Sequence, residues 1–280
     1  MFSPAVALIP AVIWAFSPIY YRVFMKRFDF LLLNLLRTSM ASLVLLVPAL
    51  VIGFGSGVLY ALLSGAISLA CGDTLFLLSV REMGASVAAP VVYTYVLFVQ
   101  LTATTVGGVV PAFNYVAAAM VIAGIFLLSR GGNGGMPKTR GIVYGLAAAL
   151  VWTVGQDLIQ AATNAGGSVL VVTFCRNAAA AVALGCAVLV TRRTRLWPSG
   201  VTRREVGFIA LIALTDLAVG SLLFVYSVSL VGIALTVILT SLSPFLTQLF
   251  SKLLGKESPA ATEFAGGAVI VAALVLAVIH

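Results

Sequence analysis

The chain is a succession of long apolar runs separated by short polar or glycine-rich breaks. A membrane-spanning helix needs about 20 mostly apolar residues. The pattern predicts spans at 4–22, 30–52, 57–80, 85–107, 111–129, 141–161, 168–190, 206–228, 232–254 and 262–279. Glycine clusters typical of helix ends lie in the breaks, for example at 53–57. The pattern therefore predicts an all-α, polytopic membrane protein with ten transmembrane helices.

Composition strengthens this interpretation. Of the 280 residues, 62% are hydrophobic and 9% are charged, whereas a soluble domain carries about 25% charged residues. Such a chain cannot cover itself with a surface compatible with water, so we expect it to lie in a lipid bilayer. Residues 1–4 lack the positive region and cleavage site of a signal peptide. We therefore expect the first apolar run to remain in the membrane.

One short stretch of the chain occurs twice. Residues 72–84 read GDTLFLLSVREMG and residues 220–232 read GSLLFVYSVSLVG, about 148 positions later. This offset, or one about ten residues shorter, also relates Trp14 to Trp152, Arg37 to Arg176 and Gln100 to Gln248. A consistent series of matches predicts an internal duplication. The predicted halves are residues 1–130 and 141–280, joined by a glycine-rich linker at 131–140.

Positive charge is distributed unevenly along this map. Fourteen of the 16 Lys and Arg residues follow odd-numbered spans. By the positive-inside rule those connections, including the linker, are cytoplasmic and both termini are outside. With five spans in each half, the second half enters the membrane inverted, as in many secondary transporters. The net charge of +8 is thus explained by the positive residues of the cytoplasmic connections, and we expect no nucleic-acid partner.

Several short motifs accompany the five-plus-five arrangement: Trp14-Ala15 and Trp152-Thr153, Gly84 and Gly232, Pro244-Phe245, residues 254–257 and residues 266–270. With these motifs the chain resembles the drug/metabolite transporter superfamily, specifically its ten-span EamA-type carriers. The resemblance implies a ten-helix bundle whose central cavity is lined mainly by spans one, three, four, six, eight and nine. It also implies export or exchange of small metabolites, often amino acids or related polar compounds.

Two carboxylates lie near the middle of predicted spans, Asp73 in the third and Asp216 in the eighth. A charge at the bilayer centre costs at least about 2.5–3.5 kcal/mol, so each should face the protein interior with a partner. Each could accept a proton or pair with a substrate ammonium; alternatively each is a structural ion pair. Their repeat mates are Ser221 and Ser68, so the acids are not duplicated, which favours a separate task for each.

Two arginines, by contrast, are repeat mates inside spans two and seven. Arg37 and Arg176 could extend to a membrane interface, form structural pairs with Asp in the same half, or contact a substrate carboxylate. Asp157 lies near the outer end of span six beside Gln156 and Gln160, where we expect interfacial solvation, with a contact in an outer vestibule as the alternative.

Aromatic and amide side chains complete the candidate site: Trp14, Trp152, Tyr93, Tyr95, Gln100, Gln248 and Gln156. An amide in hydrocarbon needs a partner. A wet cavity supplies one, and an interhelical hydrogen bond is the alternative.

No enzyme signature is present in the sequence. A Walker loop, a histidine metal cluster and a Gly-x-Ser-x-Gly motif are all missing, so we expect no enzyme activity, cofactor or metal. We expect a plasma-membrane secondary active transporter, an exporter or exchanger of small polar, amino-acid-like metabolites that works by alternating access. Proton coupling through Asp73 or Asp216 is a hypothesis. The alternatives are an uncoupled facilitator, or a channel or lipid scramblase. We expect either a monomer or a homodimer.

Overall fold

The computed structural model describes residues 4–129, 139–191, 198–254 and 261–279, and every regular element within these ranges is a helix. The first part of the chain, after a 3₁₀ turn at Pro4–Ala7, forms α1 (Leu8–Phe24), α2 (Phe30–Ile52), α3 (Val58–Ser64), α4 (Asp73–Met83), α5 (Ala85–Val92), α6 (Tyr95–Thr102) and α7 (Ala112–Ser129). The second part forms α8 (Thr139–Asn164), α9 (Val169–Val190), α10 (Arg203–Ala213), α11 (Ser221–Thr240), α12 (Ser243–Leu253) and α13 (Ala261–Ile279). Of the predicted linker, only residues 139 and 140 are described, and they open α8.

Six helical stretches in the described ranges are long and apolar enough to cross a membrane: Phe30–Ile52, Val58–Met83, Val87–Val106, Thr139–Asn164, Val169–Val190 and Arg203–Thr240. Leu8–Phe24, Ala112–Leu127 and Ala265–Val278 are shorter apolar helices. Large apolar side chains point outward from the bundle, such as Val51 on α2 and Val190 on α9, both 82% exposed. Such a surface is suited to lipid rather than water.

Two of the long stretches contain a wider, π-helical turn. Gly65–Gly72 connects α3 to α4, and Leu214–Gly220 connects α10 to α11. The backbone N–H of Asp73 donates to the carbonyl of Ser68, and that of Ser221 to the carbonyl of Asp216. Each bond reaches back five residues instead of four, which is rare and often found at functional sites. The repeated part of the chain thus carries the same irregularity in both copies.

A glycine interrupts the helix at the end of each repeated stretch. Gly84, between α4 and α5, has φ 86° and ψ 163°, and Gly232, within α11, has φ 77° and ψ 164°. Glycine adopts a positive φ at little cost because it has no Cβ. Gly232 therefore divides α11 into two segments at the position where Gly84 separates two helices.

The packing of these elements leaves an interior between both parts of the chain. Helix α2 packs against α9, and α8 packs against α4 and the first π-helical turn. Helix α1 packs against α11, α12 and the second π-helical turn. Helices α7 and α13 pack mainly against each other, so they contribute to the scaffold rather than to this interior.

Candidate functional site: a charged cavity

A cavity lies in this interior, and most of the predicted site residues line it. These are Trp14, Arg37, Asp73, Tyr93, Tyr95, Trp152, Gln156, Arg176 and Asp216. The volume open to the centre of a water molecule is about 70 Å³. One water needs about 10–15 Å³ by this measure, so the cavity can hold several waters or a small solute.

Arg37 forms an ion cluster with the two acids. Its Nη2 lies 2.8 Å from Oδ2 of Asp216 and 3.3 Å from Oδ2 of Asp73. Its Nη1 donates to Oδ1 of Asn34 at 3.2 Å. All three charged side chains are at most 8% exposed. One guanidinium thus serves two carboxylates, and the cluster carries one formal negative charge.

Aromatic side chains fix the positions of the two carboxylates. The Tyr21 hydroxyl donates to Oδ2 of Asp216 at 2.5 Å, and the Tyr21 ring lies 4.1 Å from Cζ of Arg37. Nε1 of Trp152 donates to Oδ1 of Asp73 at 3.0 Å. Nε1 of Trp14 instead donates to the backbone carbonyl of Asp216 at 3.3 Å. The two tryptophans therefore hold the acids in different ways.

Two asparagines satisfy carbonyl groups of the π-helical turns beside the acids. Nδ2 of Asn34 donates to the carbonyl of Leu69 at 2.9 Å, and Nδ2 of Asn177 donates to that of Leu217 at 3.2 Å. Leu69 and Leu217 are also about 148 positions apart. A buried carbonyl without a partner is costly, so these amides stabilise the irregular backbone that carries Asp73 and Asp216.

Arg176 occupies a different environment. Its Nε donates to Ser64 Oγ at 3.0 Å, its Nη1 to Ser221 Oγ at 3.0 Å and its Nη2 to Ser68 Oγ at 3.3 Å. It is 3% exposed. Within the described ranges, no carboxylate lies within 4.0 Å of its guanidinium nitrogens. Gly65 permits this arrangement, because a Cβ there would collide with the backbone of Arg176.

The remaining predicted residues lie away from the cavity lining. Nε2 of Gln100 donates to the carbonyl of Ala234 at 3.0 Å, which is the interhelical alternative. Gln248 is buried in α12 and is not part of the lining. Asp157 is 8% exposed and hydrogen-bonds with Thr102. The expectation that Asp157 is solvated is therefore wrong, because α8 is packed inside the bundle at that point.

Sequence reasoning did not select Tyr21 or Ser221, which contact the charged groups, or Ser243, which also lines the cavity. A signal for Tyr21 exists in the sequence: Trp14, Pro18 and Tyr21 are spaced by four and three residues and so share one helix face. The resemblance implied a cavity lined mainly by spans one, three, four, six, eight and nine. In the structure Arg37 of span two and Arg176 of span seven line the cavity as well. No group of three or more potential metal ligands occurs among the described residues.

Apolar helices of membrane-spanning length around a charged cavity define a multi-pass membrane protein with a polar interior. The chain belongs to the EamA-like transporter family, within the drug/metabolite transporter superfamily, because the family profile matches residues 1–130 and again residues 139–279. This family is described as one of transporters.

Two known proteins are also similar to this chain. An uncharacterized transporter of Archaeoglobus fulgidus is 28% identical over 161 residues, which cover 55% of this chain and 57% of the relative. A solved crystal structure superimposes with a TM-score of 0.72 at 19% identity, and the match covers 98% of this chain and 96% of the other. At this identity the likeness concerns the fold alone.

Proposed function

We propose that this protein is a secondary carrier that moves small polar, amino-acid-like metabolites across the plasma membrane by alternating access. The observation that carries the proposal is the cavity, whose walls contain two guanidinium groups and two carboxylates. Buried charges cost several kcal/mol in a membrane interior. A polar solute gains interactions from such walls, whereas a hydrocarbon solute does not.

The proposed carrier consists of two five-helix halves, residues 1–130 and 141–280, in opposite orientations. In favour of it, the π-helical turns and the positive-φ glycines recur about 148 residues apart. The contacts of the two arginines support the same symmetry. Arg37 contacts Asp73 and Asp216, whereas Arg176 contacts Ser221 and Ser68, which are the repeat mates of those acids. Inverted halves supply two equivalent gates.

This orientation predicts a cytoplasmic linker and two external termini. Reporter fusions at each terminus, and a cysteine-free variant carrying one new cysteine at 131–140, test it. We expect a membrane-impermeant thiol reagent to label the linker only from the cytoplasmic side. Labelling from outside would contradict the orientation.

We further propose that the Arg37 cluster couples transport to protons. The cluster has one positive and two negative groups, so one proton brings it to neutrality and removes the unbalanced buried charge. Under this proposal D73N and D216N each reduce the response of flux to an imposed pH gradient. An unchanged response in the double variant would leave an uncoupled facilitator.

Counterflow in proteoliposomes tests the carrier itself. Vesicles preloaded with a mixture of unlabelled amino acids should accumulate a labelled member of the mixture transiently and saturably, because the loaded carrier returns faster than the empty one. Non-saturating conductance would indicate a channel, and transbilayer movement of labelled phospholipid would indicate a scramblase.

A further inference from the structure

Arg176 is a buried cation whose three contacts are all neutral. Ser64, Ser68 and Ser221 supply the oxygens. The Ser64 hydroxyl donates to the carbonyl of Gly155 and the Ser68 hydroxyl to that of Ser64, so these two oxygens are oriented to accept from Arg176. Hydroxyl oxygens orient the guanidinium but do not cancel its charge. A buried charge without a counter-ion in direct contact is poorly compensated, and a solute with a negative group would supply that contact.

The guanidinium of Arg176, which lines the cavity, also has donors that the three serines do not use. Arginine has five N–H groups, and three are used by the serines. Among the residues that the structure describes, one N–H on Nη1 and one on Nη2 have no hydrogen-bond acceptor. Two N–H groups on neighbouring Nη atoms form a fork that can bind a carboxylate through two parallel hydrogen bonds. Lysine could not present the same fork.

The Arg37 cluster gives the same cavity a region of opposite charge. Asp73 and Asp216 outnumber Arg37 and leave one formal negative charge, while Arg176 contributes one positive charge. A solute with both a carboxylate and an ammonium matches this distribution. A solute with a single negative or positive charge matches only half of it.

We propose that Arg176 binds the carboxylate of the transported solute through its two free N–H groups, while the solute's ammonium faces the Asp73–Asp216 cluster. The proposal rests on the proposed carrier function and specifies its substrate class as a small zwitterion. The cavity volume of about 70 Å³ favours amino acids with short side chains.

Binding measurements on purified protein test the assignment without requiring flux. The twenty protein amino acids are screened by thermal shift, and each one that stabilises the protein is compared with its amide by calorimetry. The amide keeps the ammonium and loses the carboxylate charge. We expect the amide to bind at least about tenfold more weakly, since charge-assisted hydrogen bonds are lost. Acetate should bind more weakly than glycine, because it lacks the ammonium.

Variants assign this preference to one residue. R176Q removes the charge and should bring the ratio of amino-acid to amide affinity close to one. R176K keeps the charge without the fork and should lower this ratio only in part. R81K is the matched control, because the Arg81 side chain is 45% exposed, pairs with Glu82 at 3.8 Å and lies over the Phe30 ring, away from the cavity lining. If the Arg176 variants fail to fold, the ratio of amino-acid to amide affinity in the unmodified protein still tests whether the cavity binds a carboxylate.

Equal binding of acid and amide, or no stabilisation by any amino acid, would overturn the assignment. Counterflow of some other solute would in that case preserve the proposed carrier. Conversely, carboxylate-dependent binding without any flux would support Arg176 as the docking group and contradict the carrier.

Discussion

Arg37 and Arg176 lie on two helices that pack against each other, α2 and α9, yet their charges are handled differently. Arg37 meets two carboxylates at 2.8 and 3.3 Å. Arg176 meets three hydroxyls at 3.0 to 3.3 Å. The repeat relates Asp73 to Ser221 and Asp216 to Ser68. Arg37 therefore contacts two acids at the positions where Arg176 contacts two serines. An aspartate or a serine at these two positions therefore decides whether the arginine is neutralised by the protein or can bind an anion.

This difference has consequences for stability as well as binding. Removing one member of a buried ion pair leaves an uncompensated charge, which typically costs about 3–5 kcal/mol. Replacing a cation that contacts only neutral oxygens relieves the cost of burying its charge but also removes its hydrogen bonds, so the gain and the loss partly cancel. The Arg37 cluster should therefore contribute to the fold, and Arg176 should contribute to solute binding.

The largest effect is expected for R37Q. It leaves two carboxylates without their cation, and we expect the free energy of unfolding to fall by about 3–5 kcal/mol. Denaturant titration in detergent micelles, followed by circular dichroism, measures it. R81Q serves as the exposed control and should change stability by less than about 1 kcal/mol. If both variants lose the same amount, Arg37 is not a structural ion partner.

Y21F tests the same cluster from its aromatic side. The substitution removes the hydroxyl that donates to Asp216 at 2.5 Å but keeps the ring beside Arg37. Hydrogen bonds to charged groups contribute about 1.5–3 kcal/mol, so we expect a loss in that range by the same titration. The nearby Y20F should have little effect, because Tyr20 contacts Phe208 through its ring. A neutral result for Y21F would mean that Arg37 alone fixes Asp216.

S221D would make the surroundings of Arg176 resemble those of Arg37. An aspartate there would give Arg176 an internal counter-ion, so we expect affinity for amino acids relative to their amides to fall at least about tenfold, or about 1.4 kcal/mol. Calorimetry on the acid and amide pair measures the change. S221N, which adds volume without charge, is the control and should retain the preference. An unchanged ratio in S221D would contradict the anion site.

The smallest expected effect is the difference in stability between the variants W152F and W14F. W152F removes a hydrogen bond to the Asp73 carboxylate at 3.0 Å, and W14F removes one to a backbone carbonyl at 3.3 Å. Bonds to charged groups contribute more than neutral ones, so W152F should be more destabilising, by about 1 kcal/mol. Parallel thermal melts compare the two. The opposite order would indicate that ring packing outweighs both bonds.

Sequence patterns anticipated an all-helical membrane protein because the length of hydrophobic segments depends on the bilayer rather than on packing details. They also selected Asp73, Asp216 and Arg37, since buried charges stand out in apolar helices. They did not distinguish Gln100, which bonds to the Ala234 carbonyl, from Gln156, which lines the cavity. A helix that is apolar on all sides carries little information about which face meets the interior.

The contacts around Arg176 were equally hidden in the sequence. Ser68 and Ser221 were recognised as repeat mates of the two acids, but their roles depend on the approach of α9 to Gly65. Tyr21 lies next to Arg22, so its position suggests the membrane interface, whereas the structure buries it at 1% exposure against Asp216. Such contacts arise from helix pairing, which local patterns do not determine.

The π-helical turn at Gly65–Gly72 also limits how this chain can change its length. Because its backbone hydrogen bonds reach back five residues instead of four, the turn holds about one residue more than an α-helical turn of the same height. One more residue in the irregular turn would rotate every later side chain by about 100° around the helix axis and move Asp73 away from Arg37 and Trp152. Deleting one residue would instead let the turn close as ordinary α-helix with Asp73 on nearly the same face, so the ion cluster should survive shortening at this point better than lengthening.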